Sequence, residues 1–313
     1  MTDPNYSISV VIPLFNEEES LPELTEKIHT VASRMGVVYE IIFVDDGSTD
    51  NSYTVIQKLK QQYAAVKALR FRKNFGKSTA LSEGFKMATG TYVITMDADL
   101  QDDPEEIPHL VNKLQEGNDL VSGWKKVRHD PISKTIPSRF FNYVTRVMSG
   151  IRLHDFNCGL KAYRREVVKD VNLYGELHRY IPVLTKWEGY RRITEIVVHH
   201  HPRKYGQSKF GLSRFLKGFL DLITVVFLTR YVKRPLHFFG FFGSLSLLAG
   251  LGICGYLSFD WFLGTPIGQR PILFLGILLI MIGFQIISTG LIGEMLVHNF
   301  NRQKEVPVKE RIE

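Results

Sequence analysis

Asp97 and Asp99 stand one residue apart after the apolar segment Thr91–Met96, which predicts a buried β-strand. Carboxylates at positions i and i+2 project to the same side of an extended chain, so both could face one cation. Gln101 continues the spacing and offers a third oxygen. Carboxylate and amide oxygens suit a hard divalent ion, which diphosphate oxygens would also ligate. Because a metal-bound diphosphate leaves readily, the pattern indicates a nucleotide-linked substrate, unless it is only a strand ending in a polar loop.

The elements that must position these carboxylates alternate along the first 123 residues. Apolar segments predict strands, and segments of helical spacing between them predict helices, so we expect a mostly parallel, Rossmann-like α/β sheet covered on both faces. The predicted strands are Ile8–Leu14, Glu40–Val44, Val66–Phe71, Thr91–Met96 and Asp119–Gly123. Ligands bind such sheets beyond the carboxyl ends of the strands. Polar clusters follow four of these strands, at Asn16-Glu17, Asp45-Asp46, Arg72-Lys73-Asn74 and Asp97-Ala98-Asp99.

Composition narrows the class of partner. The chain has 313 residues and a formal net charge of +7, which suits nucleic acid, anionic lipid or phosphorylated small substrates. We expect no nucleic-acid partner, because no nucleic-acid-binding motif occurs and the basic residues lie near apolar C-terminal segments. The two cysteines, Cys158 and Cys254, predict no disulfide and a reducing compartment.

Two C-terminal segments predict transmembrane helices. Leu236–Phe259 and Ile272–Gly293 contain no Asp, Glu, Lys or Arg, and each exceeds the roughly 20 residues that cross a bilayer. We place the spans at 236–259 and 272–296 within a hairpin of residues 233–300; a buried hairpin of a soluble protein is the alternative. Basic residues before the first span and after the second predict a multi-pass inner-membrane protein with both ends cytoplasmic. The expected domains are a cytoplasmic catalytic domain over 1–207, an amphipathic interface helix over 208–232 and a cytoplasmic tail over 301–313; 136–151 is a second candidate interfacial helix.

Several motifs, taken in order, resemble the family 2 glycosyltransferases of the GT-A fold. They are Val10–Glu17, Val44–Ser48, Arg72–Gly76 and Asp97–Gln101. Asp155–Lys161 and Arg203–Lys209 are similar to the polyprenyl-phosphate glycosyltransferases, a group that includes dolichol-phosphate mannose synthase and bactoprenol glucosyltransferases. Val121–Arg128 and the two spans look closest to the bactoprenol branch.

This resemblance implies roles for the matching residues. The implied donor-binding residues are Pro13, Phe15, Asn16, Glu17, Asp45, Asp46, Lys77, Asp97, Ala98, Ser208 and Lys209. The implied ligands of Mg²⁺ or Mn²⁺ are Asp99 and Gln101, and the implied acceptor-phosphate ligands are Lys125, Arg139 and Arg203. The implied catalytic set is Asp97, Asp99, Asp155 and Arg203, with Asp155 as either a base or an organiser of the sugar or acceptor.

The expected reaction is the inverting, metal-dependent transfer of one sugar from a nucleotide sugar, with UDP-glucose preferred, to undecaprenyl or another polyprenyl phosphate. UDP-N-acetylglucosamine, GDP-mannose and a modified pentose donor stay open, as does a membrane-anchored nucleotide-sugar scaffold without turnover. A processive polysaccharide synthase is less well supported, since its Gln-x-x-Arg-Trp motif is missing. The resemblance also implies a membrane partner and a homo-oligomer, for which a tetramer is one form.

Overall fold

The computed structural model describes residues 6–126, 142–175, 177–202, 204, 235–264, 266–267 and 270–301. The chain divides into two compact units, Met1–Val225 and Val226–Glu313. The described strands all belong to the first unit, and two long apolar helices belong to the second.

The first unit alternates strands and helices. Its strands are Ser7–Leu14 (β1), Val38–Asp45 (β2), Val66–Arg70 (β3), Tyr92–Thr95 (β4), Leu120–Trp124 (β5), Lys161–Arg164 (β6) and Ile193–Val197 (β7). Its helices are Leu21–Met35 (α1), Ser52–Gln62 (α2), Lys77–Met87 (α3), Ile107–Gln115 (α4), 142–149 (α5), Arg165–Asp170 (α6) and Ile181–Trp187 (α7). Short 3₁₀ turns lie at Pro104–Glu106 and Leu177–Tyr180. The predicted α/β class is confirmed.

The seven described strands form one sheet in the order β3-β2-β1-β4-β6-β5-β7. β1 pairs in parallel with β2 and β4, and β2 pairs in parallel with β3. The register aligns Leu14, Asp45 and Arg70, so the carboxyl ends of three strands meet at one edge. Only β6 runs antiparallel, between β4 and β5, and the sequence patterns did not predict that strand or β7. The sheet is therefore mostly parallel, as expected.

Burial on both faces explains why the central strands are continuous apolar runs. In β1, Ile8, Val10 and Ile12 pack in one cluster with apolar residues of α1, α2 and α4. Val11 points to the opposite face, where α3 approaches so closely that a Cβ on Gly84 would overlap its side chain. Helices therefore cover both faces of the sheet.

A buried polar clamp joins three segments at the edge of the sheet opposite the carboxyl ends. Glu40, at the start of β2, accepts hydrogen bonds from Ser9 Oγ (2.5 Å), Thr89 N (2.7 Å) and Thr89 Oγ1 (2.9 Å). Its second oxygen lies 2.5 Å from Lys67 Nζ on β3. Burial opposes ionisation, but these partners outweigh it and lower the pKa of Glu40 to about 2. The carboxylate therefore stabilises the folded sheet in its charged form.

The second unit is a helical hairpin whose two helices approach each other closely at glycines. Its helices are Pro235–Phe262 (α8) and Pro271–Asn301 (α9). A Cβ on Gly250 would lie 2.7 Å from the carbonyl oxygen of Gly276, and one on Gly283 would lie 2.7 Å from the carbonyl oxygen of Gly243. Small residues let transmembrane helices approach this closely. The predicted spans at 236–259 and 272–296 lie within α8 and α9.

Glu40→Gln tests the polar clamp. A depressed carboxyl pKa contributes stability above the unfolded-state pKa, and this contribution is lost as pH falls through the folded-state value. We therefore expect the variant to lose about 2–3 kcal/mol of unfolding free energy at pH 7, with the difference from wild type vanishing between about pH 4.5 and pH 2. Denaturant unfolding of the full chain in detergent across this range measures it. Glu83→Gln, which removes only an exposed contact to Lys86, is the control and should change stability little at any pH. A pH-independent loss in Glu40→Gln would contradict the charged clamp.

A pair of alanine substitutions on α8 tests the glycine contact. Gly250→Ala places a methyl group against the backbone of α9, whereas Gly252→Ala meets nothing within 4 Å. Both changes raise helix propensity equally, so their difference isolates the steric effect. We expect Gly250→Ala to be less stable than Gly252→Ala by about 1–3 kcal/mol in detergent unfolding. Equal stabilities would show that the helices do not touch at Gly250.

Candidate functional site

The loops after β1 and β2 are tied together at the carboxyl edge of the sheet. Asn16 adopts a left-handed backbone with φ 58°, and its N–H donates to Ser48 Oγ at 2.9 Å. Its side-chain oxygen accepts the Thr49 N–H at 2.8 Å. The neighbouring N–H of Glu17 donates to Ser52 Oγ at 3.0 Å. The structure thus brings the predicted donor-binding segments after β1 and β2 together, with Asn16 bridging them.

Asp45 and Asp46 organise the loops around them. Asp45 is fully buried, accepts the Ser48 N–H at 2.8 Å and lies 3.3 Å from Arg70 Nε. Asp46 accepts the N–H groups of Phe75 (2.6 Å) and Gly76 (2.9 Å), which fixes the chain just before α3. Burial raises the pKa of Asp46 despite these two hydrogen bonds.

The chain turns after β4 instead of staying extended. β4 ends at Thr95, Ala98 and Asp99 form a turn, and Leu100 takes φ 61°. The expectation that Asp97 and Asp99 share one side of an extended chain is therefore wrong. Their carboxylates take different partners, since Asp97 forms an ion pair with Lys77 Nζ while Asp99 Oδ1 accepts the N–H of Gln101 at 3.2 Å.

The buried acid Asp102 fixes this turn. Its Oδ2 accepts the N–H of Asp97 at 3.3 Å, and its Oδ1 lies 2.8 Å from Lys125 Nζ. Burial alone would lower the pKa of Lys125, but the facing Asp102 carboxylate raises it instead. Burial likewise disfavours the Asp97 carboxylate, yet Lys77 and Lys125 lower the pKa of Asp97 to about 2. Asp97 is therefore ionised at neutral pH.

A recess opens beside Asp97, and we call it the Asp97 recess. Its polar lining includes Lys77, Asp97, Asn157, Lys161 and His178. Pro13 and Gly159 also line it. The loop that leads into it is organised by Asp155, which is 1% exposed and accepts the N–H of Asn157 at 3.0 Å.

The residues assigned to a metal ion are oxygen donors on the turn after β4. Asp99 and Gln101 are both half-buried there. Within the described ranges, no group of three or more His, Cys, Asp and Glu side chains is arranged to hold a metal ion. The carboxylate and amide oxygens of Asp99 and Gln101 are donors that fit a hard divalent cation.

Seven further residues are predicted for the site. Lys125 is paired with Asp102 and its side chain is only 14% exposed, so its acceptor-phosphate role stays a prediction. Phe15 is half-buried just after β1, and Ala98 is buried in the turn after β4. Four predicted residues lie outside the described residues: Arg139, Arg203, Ser208 and Lys209. Sequence patterns did not single out Asp102, Lys161 or His178 as site residues.

Comparisons with known proteins agree on the family. The model of glycosyl transferase family 2 matches residues 9–171. A dodecaprenyl-phosphate galacturonate synthase of Rhizobium johnstonii is 40% identical over 316 residues, covering 97% of this chain and 92% of that protein.

Solved structures share the fold. Glucosyl-3-phosphoglycerate synthase from Mycobacterium tuberculosis, crystallised with Mn²⁺, UDP-glucose and phosphoglyceric acid, superposes with a TM-score of 0.57 at 20% identity, covering 72% of this chain and 80% of that one. For mannosyl-3-phosphoglycerate synthase from Rubrobacter xylanophilus the TM-score is 0.58 at 17% identity, with 71% and 74% covered. Since the family model spans more than half of the sequence and the Rhizobium relative aligns over nearly all of it, this chain belongs to glycosyltransferase family 2 and is a glycosyltransferase of the GT-A fold.

Proposed function

We propose that this enzyme transfers one sugar from a nucleotide sugar to a polyprenyl phosphate at the cytoplasmic face of a membrane. The main support for this proposal is the 40% sequence identity to a synthase whose name specifies a polyprenyl-phosphate product. That similarity covers 97% of this chain, so it includes the C-terminal hairpin as well as the catalytic domain.

The hairpin supports a membrane location. In the most apolar stretch of each helix, only 11% of the residues are buried within the structure, so most of the apolar surface faces outward. A core helix of a soluble protein would instead be largely covered. Lys233 and Arg234 before α8, with Arg302 and Lys304 after the second span, support a cytoplasmic catalytic domain. The homo-oligomer and the domain limits at 207 and 232 stay predictions.

For the donor, we propose that the base and ribose lie over the ends of β1 and β2, near Asn16 and Asp45. The diphosphate would then reach the turn after β4, where Asp99 and Gln101 would hold Mg²⁺ or Mn²⁺. A bound cation would offset the negative charge that develops on the leaving diphosphate. Glucose is the sugar expected from the sequence, and galacturonate is the sugar named for the Rhizobium relative.

The reaction requires the protein mainly to position the two reactants. A phosphate monoester has a second pKa of about 6, so the lipid phosphate is ionised at neutral pH and needs no strong base. One of its oxygens attacks the anomeric carbon, the bond from that carbon to the diphosphate oxygen breaks, and the configuration inverts. Asp155 is buried and holds its own loop, so we assign it the role of organiser instead of base. Arg139 and Arg203 are the proposed contacts for the acceptor phosphate.

Close packing positions the Asp97 carboxylate. A Cβ on Gly159 would lie 2.5 Å from Oδ2, 2.6 Å from Cγ and 2.8 Å from Oδ1 of Asp97. Any side chain at Gly159 must therefore displace this carboxylate from Lys77. Glycine alone fits at this position while Asp97 keeps its place.

A donor panel tests the proposed reaction. Purified enzyme with undecaprenyl phosphate, Mg²⁺ and UDP-glucose, UDP-galacturonate, UDP-N-acetylglucosamine or GDP-mannose should give one lipid-phosphate sugar, identified by mass spectrometry. Asp99→Asn should lower turnover at least about 100-fold, because the cation loses its charged ligand. Asp103→Asn removes a carboxylate four residues away that caps the next turn and pairs with His201, so it should keep most activity. Nucleotide-sugar binding without lipid product from any donor would favour the scaffold instead.

Gly159→Ala tests the placement of Asp97. We expect the transfer rate to fall about 100-fold, because a shift of about 1 Å in a positioned group can cost that much. The melting temperature should change little, since the added methyl group meets a movable side chain. Wild-type turnover in Gly159→Ala would show that the position of Asp97 does not matter to the reaction.

A further inference from the structure

Among the polar groups that line the Asp97 recess, His178 and Lys161 have no role in the proposed reaction. His178 lies in the 3₁₀ turn Leu177–Tyr180, and Lys161 begins β6. Both are about 60 or more residues from Asp97 in sequence, and the fold brings all three to one recess.

Ser78 fixes the orientation of His178. The backbone N–H of His178 donates to Ser78 Oγ at 3.0 Å, and the same Oγ lies 3.0 Å from His178 Nδ1. Ser78 is fully buried, so its hydroxyl proton needs an acceptor, and Nδ1 is the acceptor that the described residues provide. Burial, with the charges of Lys77 and Arg179, holds the pKa of His178 well below its usual value. The ring is therefore neutral and carries its proton on Nε2.

Lys161 adds a second donor group. Its side chain is 3% exposed, and its ammonium donates to the carbonyl oxygen of Cys158. In the described part of the chain this is its one hydrogen bond, which leaves donor capacity on a buried group that lines the recess. A buried hydrogen-bond donor is normally paired with an acceptor.

The position of the recess in the sheet indicates which part of the donor it would contact. β4 has β1 on one side and β6 on the other. In the proposed function the nucleotide lies over β1 and β2, and the diphosphate lies at the turn after β4. The sugar then extends toward β6, where Lys161 begins the strand and His178 faces Asp97.

We propose that His178 Nε2–H, supported by Lys161, donates a hydrogen bond to an oxygen of the transferred sugar, which makes His178 a specificity-determining residue for the donor. This inference rests on the proposed function. It assigns His178 to sugar recognition and not to nucleotide or lipid binding.

The test compares His178→Leu, which removes the donor, with His178→Gln, which keeps a terminal N–H. With the donor that wild type uses, His178→Leu should lower kcat/KM about tenfold, the value of one lost hydrogen bond to a substrate. The inhibition constant of UDP, which lacks the sugar, should stay within about twofold. His178→Gln should recover part of the loss. His109→Leu, at an exposed position on α4, is the matched control and should resemble wild type in both measurements.

Nucleotide sugars that each lack one sugar hydroxyl identify the oxygen that His178 contacts. For the analogue that lacks the hydroxyl contacted by His178, wild type and His178→Leu should have equal kcat/KM. An unchanged kcat/KM in His178→Leu, or an equal loss of inhibition by UDP, would overturn the inference. If wild type forms no lipid product, the proposed function fails, but calorimetric affinities for nucleotide sugar and UDP still test His178, because only the former should weaken in His178→Leu.

Discussion

The geometry of the site depends on one buried carboxylate, that of Asp102. A buried charge is costly unless it is paired, and Asp102 is paired on both sides, with the ammonium of Lys125 and the N–H of Asp97. Lys125 directly follows β5 and Asp97 follows β4, while β6 lies between those two strands in the sheet. Asp102 therefore bridges two parallel strands across the start of the antiparallel one. The turn that carries Asp99 and Gln101 is fixed by this bridge.

The parallel half of the sheet could be predicted because its signals are local. Each central strand is an apolar run followed by a helical pattern, and the polar residues after the strands then fall at one edge. β6 and β7 carry no such signal. Lys161–Arg164 is four residues long and charged at both ends, and Ile193–Val197 is a half-exposed edge strand. Their pairing partners, and not their own periodicity, make them strands.

The segments that form the candidate site could be predicted from the sequence, but the contacts between their residues could not. Side-chain alternation holds only inside a strand, and β4 ends two residues before Asp97, so the Asp-x-Asp spacing misled about its geometry. The left-handed Leu100 gives no signal in the sequence. His178 pairs with Ser78 at a separation of 100 residues, and such a contact exists only once the fold is formed.

The balance of charge in the described site limits which residues can meet the acceptor. Two anionic reactants must be brought together. The site therefore needs more positive charge than the donor diphosphate alone would neutralise. Lys77 is matched by Asp97 and Lys125 by Asp102, so each of these lysines already faces a carboxylate. Lys161 lies too deep to reach a lipid phosphate at the surface. A divalent cation on Asp99 would offset the diphosphate, and the remaining charge must come from outside these pairs. Arg139 and Arg203 are therefore better suited than Lys125 to bind the acceptor phosphate. The basic segments of the chain are as necessary to the proposed reaction as its acidic turn.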